Sequence, residues 1–136
     1  MGLFANFNIS GSAISAQSVR LNTIASNLAN VETSASSEAQ AYRSRQPVFQ
    51  AMLGNHTRPG EIGVQMLQIV ESQEAVNRRY EPGHALANEE GFVFGSNVNP
   101  VEEMANMISA SRAYQNNVQV LSTSRDLLLR VLSLGS

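Results

Sequence analysis

Hydrophobic positions recur with a helical period at both ends of this 136-residue chain. Near the N-terminus they alternate three and four residues apart, the spacing of a coiled-coil seam, with one polar member. The two rows are Ile14, Leu21, Leu28 and Gln17, Ile24, Val31. Ser10 or Ser12 would be a suitable N-cap, and Asn30 could adopt the left-handed conformation that ends many helices. The pattern therefore predicts a helix from Ser10 or Ser12 to about Asn30.

A longer helix is predicted from Pro100 to the residue before Gly135. The order Asn99-Pro100-Val101-Glu102 is typical of an N-cap, a proline at the first helical position and a reciprocal capping glutamate. At 1.5 Å per residue this helix would be ~50 Å long. Its predicted seam consists of Met104, Met107, Ser111, Tyr114, Val118, Leu121, Arg125, Leu128 and Leu132.

The middle of the chain has a different pattern. Turn signals divide it at Gly54-Asn55, Pro59-Gly60, Gly63, Pro82-Gly83, Gly91 and Gly95. The apolar stretches between them predict short strands at Val48-Phe49, from Gly63 to Val70, and at Phe92-Val93-Phe94. The Ser/Ala-rich segment from Thr33 to Gln40 is interpreted as a flexible connector.

An amphipathic helix without a partner is only marginally stable in water, so each terminal helix needs an apolar neighbour. We predict a mainly α fold with a small β insert, in which the N- and C-terminal helices form an antiparallel coiled-coil hairpin and the β-rich segment lies between them. The predicted divisions are an N-terminal helix over residues 1–31, a connector and β-rich insert over 32–98, and a C-terminal helix over 99–136.

The faces of both helices opposite the seams carry very little charge. Residues 1–31 contain one charged residue, Arg20, and the outer face of the first helix carries Ser, Asn, Thr and Ala. A solvated helix face normally carries Glu, Lys and Arg, whereas charge depletion is typical of an interface core. We therefore predict that neighbouring subunits surround both helices. The predicted seam and assembly residues are Ile14, Leu21, Ile24, Leu28, Val31, Met104, Met107, Tyr114, Val118, Leu121, Leu128 and Leu132.

Composition narrows the possible chemistry. Only 15% of residues are charged and the net charge is −2, which argues against a basic nucleic-acid surface. Without cysteine there can be no disulfide framework or thiolate catalysis. The two histidines, His56 and His84, lie beside turn residues and make a poor metal inventory. No phosphate-binding glycine loop or activated nucleophile is present. We predict no catalytic, cofactor-binding or metal-binding residues, and interpret Arg78-Arg79-Tyr80 as a strand end or subunit contact.

No apolar run approaches the ~18–20 residues of a membrane-spanning helix, so no direct membrane span is expected. The N-terminal residues also lack the basic and apolar regions of a cleaved secretory signal. If the protein leaves the cytoplasm, we expect another route of export.

Several motifs resemble those of bacterial flagellar axial proteins, which form the rod, hook and hook-associated segments. In the N-terminal half these are Ser10-Gly11-Ser12-Ala13, Gln17-Ser18-Val19-Arg20-Leu21-Asn22, Ala25-Ser26-Asn27-Leu28-Ala29-Asn30, Tyr42-Arg43 and Val48-Phe49-Gln50. In the C-terminal half they are Tyr80-Glu81-Pro82-Gly83-His84-Ala85-Leu86-Ala87, Glu90-Gly91-Phe92-Val93, Asn97-Val98-Asn99-Pro100-Val101-Glu102-Glu103-Met104 and Ser109-Ala110-Ser111-Arg112-Ala113-Tyr114-Gln115. Together they cover nearly the whole chain and are most similar to proximal subunits of the flagella basal body rod protein family. The segment Ala29-Asn30-Val31-Glu32-Thr33 lacks the Asn-Thr-Pro-Gly-Tyr-like turn of many rod and hook proteins, which argues against a distal subunit.

The resemblance implies a structural role without cofactors. Such a subunit would be exported unfolded through the flagellar type III apparatus, with an uncleaved N-terminal signal. It would join a rod that crosses the periplasm and transmits torque from motor to hook. Its helices would line the inner tube and its β insert would face outward. The implied partners are other copies, other rod proteins and basal-body export-gate or adaptor proteins.

Three alternatives remain open at this point. A monomeric helical hairpin could present the β insert to a binding partner. The chain could be a different flagellar rod or hook subunit. An enzyme would require an unrecognised site around His84, Glu89 and Glu90.

Overall fold

The computed structural model describes residues 3–53 and 62–135. Its elements are α1 (Leu3–Ala29), β1 (Ser34–Ala35), a 3₁₀ turn (Glu38–Gln40), β2 (Arg45–Leu53), β3 (Ile62–Glu71), β4 (Arg78–Tyr80), β5 (Phe92–Gly95) and α2 (Pro100–Leu134). The predicted combination of two terminal helices with a β-rich middle is confirmed. The predicted turns at Gly54-Asn55 and Pro59-Gly60, together with His56, lie outside the described residues.

The start of α2 is the one that the sequence predicts. Asn99 Oδ1 accepts hydrogen bonds from the backbone N–H groups of Val101 (3.1 Å) and Glu102 (3.4 Å). These two donors have no partner inside the helix, which is why a side-chain cap stabilises a helix N-terminus. Pro100 is the first helical residue, where its missing N–H costs nothing.

The predicted start of α1 is wrong, because the helix already begins at Leu3. Ser12 lies well inside it and has another role. Its Oγ donates to the carbonyl oxygen of Ile9 (2.8 Å) and accepts from the backbone N–H of Val64 in β3 (3.1 Å). The Ser12 hydroxyl therefore does not cap a helix but joins α1 to β3 through a hydrogen bond.

The end of α1 also differs from the prediction. No non-glycine residue in the described ranges has a positive φ angle, so Asn30 is not left-handed. Instead its side-chain Nδ2 donates to the carbonyl oxygen of Ser26 (2.8 Å), and Thr33 Oγ1 donates to the carbonyl oxygen of Asn30 (2.7 Å). Both carbonyl oxygens also accept a backbone N–H, from Asn30 (3.2 Å) and Thr33 (3.2 Å) respectively, so the side chains add a second hydrogen bond at the end of the helix.

Strands β1, β5 and β4 form a three-stranded antiparallel sheet in that order, and β2 and β3 form a second sheet. Ser34 pairs with Gly95, and its Oγ accepts from Arg79 Nη2 (3.2 Å). The segment predicted as a flexible connector therefore forms a strand and a 3₁₀ turn. The strand was not predicted because its pairing partners lie far away in the sequence.

The chain divides into two compact units. The first comprises Met1–Leu21, Pro47–Gln68 and Ile108–Ser136, and the second comprises Asn22–Gln46 and Ile69–Met107. Each unit contains residues from all three predicted segments, which are residues 1–31, 32–98 and 99–136.

The two units have different cores. In the second unit the buried apolar side chains include Val93, Val98 and Ile24. Among the described residues of the first unit, the buried apolar residues are all alanines, namely Ala5, Ala16 and Ala110. A core of alanines permits close approach of the backbone but removes little apolar area from water.

Candidate assembly surfaces

One face of α2 is covered within this chain. The covered positions alternate four and three residues apart, a heptad pattern. The buried members are Glu103, Ala110 and Ser124, and the half-buried members are Met107, Tyr114, Asn117, Leu121 and Leu128. The helix therefore packs through a row of large side chains next to a row of small and polar ones.

The predicted seam of α2 shares one row with this covered face. Met107, Tyr114, Leu121 and Leu128 are half-buried, whereas Met104, Val118 and Leu132 on the other flank are 41–62% exposed. On the N-terminal side, Ile24 is buried and Ile14, Leu21, Leu28 and Val31 are half-buried. Whether these residues contact other subunits stays a prediction.

A second apolar stripe lies on the C-terminal half of α2. Val120, Leu127, Val131 and Leu134 recur at helical spacing and are 49–87% exposed. Exposed apolar residues thus flank the covered face on both sides. Contiguous apolar surface of this kind is typical of an interaction site, and two flanks allow two different neighbours.

Strand β3 offers a third uncovered surface. Neither Lys, Arg, Asp, Glu nor Pro occurs between Ile62 and Val70. Its exposed apolar side chains are Ile62, Met66, Leu67, Ile69 and Val70. Because successive side chains point to opposite faces of a strand, both faces of β3 are apolar and exposed. Native proteins usually protect such strands with charges or proline, so β3 is suited to contact another protein.

A buried polar network surrounds Asn27, which is 1% exposed. Its Nδ2 donates to the carbonyl oxygen of Arg45 (2.9 Å), to Glu103 Oε2 (3.2 Å) and to Ser44 Oγ (3.4 Å). Its Oδ1 accepts from the Arg45 N–H (3.0 Å) and from Tyr42 Oη (3.0 Å). One amide side chain therefore joins the last turns of α1, the start of β2 and the first turn of α2.

The sequence pattern places Asn27 on the uncharged face of the first helix but does not predict this network. Ala16 and Thr23, from the same face, are also buried within the chain. Part of the charge depletion on α1 thus serves packing within one subunit. The sequence showed only that Asn27 is a polar residue among small ones on a helix face. Its hydrogen-bond partners lie in distant segments and could not be read from that pattern.

The groups considered for chemistry are arranged as structural contacts. Arg78 stacks on the Phe92 ring (3.7 Å from the ring centroid) and lies 3.8 Å from Glu90. His84 Nδ1 accepts from the Leu86 N–H (3.0 Å), which stabilises a turn. Across residues 3–53 and 62–135, no three His, Asp or Glu side chains are placed to hold a metal ion. In the same ranges, no helix has the length and hydrophobicity needed to cross a bilayer.

Comparison with known proteins identifies the family. Residues 7–34 match the family described as flagella basal body rod protein, and residues 89–134 match the flagellar basal body rod FlgEFG protein C-terminal family. The chain is 45% identical to the flagellar basal-body rod protein FlgC of Escherichia coli O6:H1, over 99% of each chain. It is 44% identical to FlgC of Salmonella typhimurium, over 99% of each, and 32% identical to FlgC of Borreliella burgdorferi, over 98% of each.

A structural subunit agrees with the exposed apolar surfaces of α2 and β3. It also agrees with the contacts of Arg78 and His84, which stabilise the fold. The chain belongs to the FlgC family of flagellar basal-body rod proteins and is a structural subunit of the rod, not an enzyme.

Proposed function

We propose that this chain is a subunit of the proximal rod, where it polymerises with other copies and other rod proteins into a helical tube that transmits torque from motor to hook. The supporting observation is the apolar surface that one chain leaves uncovered. In the first unit, the described apolar residues that are buried are alanines, while larger aliphatic residues of α2, such as Leu127 and Val131, are exposed.

The size of this surface fits assembly. Fully burying a Leu or Val side chain contributes about 1.5–3 kcal/mol. The four residues of the C-terminal stripe on α2 are roughly half exposed or more. Covering what remains would contribute roughly 3–6 kcal/mol per subunit, a large fraction of the ~5–15 kcal/mol that stabilises a typical domain. Neighbouring subunits would supply this cover.

We also propose that the two terminal helices pair antiparallel as a coiled-coil hairpin. The hydrogen bond between Asn27 near the end of α1 and Glu103 near the start of α2 supports this pairing, because it joins the C-terminal end of one helix to the N-terminal end of the other. The heptad pattern along α2 is the packing that such a pair requires.

We further propose that the subunit reaches the rod through the flagellar type III apparatus and contacts basal-body export-gate or adaptor proteins, within a rod that crosses the periplasm. Its similarity to FlgC along nearly the whole chain supports this route. If so, the chain recovered from purified basal bodies would retain its N-terminal residues. A trimmed N-terminus in mass spectrometry would argue against this export mode.

The proposal is tested by complementing a flagellated bacterium that lacks its own FlgC. The intact chain should restore swimming and appear in purified basal bodies. Leu127→Asp and Val131→Asp should abolish both, because they place charges within the uncovered stripe. Gln119→Asp, an exposed polar position on the same helix but off the stripe, is the matched control and should assemble normally. Normal rods with both stripe variants would contradict the proposal.

A further inference from the structure

One face of β3 lies against α1 of the same chain. A Cβ added at Gly63 would lie 3.2 Å from Ser12 Oγ, so the helix approaches this face of the strand closely. The same Ser12 hydroxyl accepts a hydrogen bond from the Val64 N–H (3.1 Å). Since successive side chains point to opposite faces of a strand, Ile62 and Met66 lie on the other face, where they are 53% and 44% exposed. We call the face that carries Ile62 and Met66 the ribbon face.

The ribbon face belongs to a sheet of only two strands, β2 and β3. A two-stranded ribbon is marginally stable in water and normally needs a further strand or a helix packed on it. The helix α1 meets this need on the Gly63 side. The described residues of this chain leave the ribbon face open to solvent, so it can receive a second helix from outside the chain.

The same compact unit carries a helix surface that needs such a cover. The C-terminal stripe of α2, which consists of Val120, Leu127, Val131 and Leu134, is 49–87% exposed. It is uncharged, and no charged residue occurs between Ile62 and Val70 of β3. One chain therefore presents two apolar surfaces of different shape, a strand ribbon and a helix. Two different surfaces that match each other allow head-to-tail pairing, which extends into a helical polymer when it does not close into a ring.

We propose that the C-terminal stripe of α2 in one copy packs on the ribbon face of a second copy of this chain, a contact that rests on the proposed assembly into a rod. Each copy within the polymer makes this contact twice, once with each surface. A helix packed on the ribbon face completes the cover that α1 begins on the opposite face.

The area of this contact favours a polymer over a free dimer. Fully burying an aliphatic side chain removes roughly 60–120 Å² of apolar surface from water, from about 1.5–3 kcal/mol at 25 cal/mol per Å². The six side chains of the two surfaces are about half exposed or more, so their contact buries roughly 200–400 Å². A stable pair of proteins normally buries about 1,200–2,000 Å². The contact therefore needs an array of copies, in which other contacts hold the two surfaces together.

The chain contains no cysteine, so single cysteines can report this contact. Met66→Cys and Leu127→Cys are placed in separate chains and co-expressed in a flagellated bacterium that lacks its own FlgC. After treatment of purified basal bodies with a short bismaleimide, the mixture should give at least fivefold more covalent dimer of this chain than either variant alone. Gln119→Cys, exposed on α2 but off the stripe, replaces Leu127→Cys as the control and should not give this dimer. Ile62→Cys with Val131→Cys is the second pair, used if a variant of the first pair does not assemble.

The other outcomes are distinct. Equal amounts of dimer from a single variant would show that like surfaces meet and would overturn head-to-tail pairing. Cross-linking of Leu127→Cys to a different protein, identified by mass spectrometry, would overturn the second copy as the occupant. Normal rods in which neither pair gives the dimer would overturn this inference and leave the proposed function standing. Failure of the unmodified chain to form rods would contradict the proposed function, and this inference with it.

Discussion

Replacing Asn27 with alanine removes the side chain that joins α1, β2 and α2. The variant leaves Glu103 Oε2 without its donor and the backbone N–H of Arg45 without its acceptor, while Tyr42 Oη keeps only its contact with Ser26 Oγ (3.3 Å). Helix propensity slightly favours the substitution, because alanine is the better helix former. The loss of the buried network should dominate.

The expected loss in the free energy of unfolding depends on which buried groups lose their hydrogen-bond partner. A buried polar group left unsatisfied costs about 1–3 kcal/mol, and more for a charged group. Glu103 is charged and 6% exposed, while the Arg45 amide lies in a partly exposed segment that water can reach. We expect a net loss of about 3 kcal/mol. With a denaturant slope of about 2 kcal/mol/M, the urea midpoint should fall by about 1.5 M.

Urea unfolding of the full chain, followed by far-ultraviolet circular dichroism, measures this loss. Asn22→Ala is the matched control, since Asn22 is exposed on the same helix, and it should change stability by less than about 0.5 kcal/mol. In a Glu103→Ala background, the cost of Asn27→Ala should shrink by about 1 kcal/mol, because the two side chains share a bond. An Asn27→Ala variant as stable as the parent would refute the role of the network.

Two further predictions concern packing and backbone. Leu121→Asp should abolish motility because it places an unpaired charge in the half-buried row of α2, whereas Ser122→Asp on the exposed face should swim normally in soft agar. Gly91→Ala should cost about 2 kcal/mol or more in thermal unfolding, since Gly91 has φ +83° and a Cβ would lie 2.8 Å from the Tyr80 ring. Gly83→Ala, where nothing lies within 4 Å of the new Cβ, should change little, and equal losses at both glycines would contradict this explanation.

Local signals predicted the features that local chemistry determines. Asn99 and Pro100 predicted the start of α2, because both the cap and the proline act within the same turn. The predicted strands at Val48-Phe49, Gly63 to Val70 and Phe92-Val93-Phe94 lie within β2, β3 and β5. Their patterns depend on side chains a few residues apart.

Features that depend on distant partners were missed. Ser12 has the chemistry of an N-cap, but Val64, 52 residues away, uses its hydroxyl. Ser34 looked flexible because its pairing with Gly95 is not visible in its own neighbourhood. The Asn27 network was missed for the same reason, since Glu103 lies 76 residues away. The predicted seam included Met104 because it is apolar, but Met104 is exposed and the neighbouring Glu103 is buried. Glu103 is buried because its hydrogen-bond partner, Asn27, is polar and lies in α1.

In the assembled rod, neighbouring subunits should cover the exposed apolar stripe of α2. An electron cryomicroscopy reconstruction of basal bodies assembled from this chain measures that directly. We predict that Leu127, Val131 and Leu134 lie against neighbouring subunits, with their solvent-exposed fraction far below the 50–87% of the single chain. A rod in which these three side chains still face water would contradict the account.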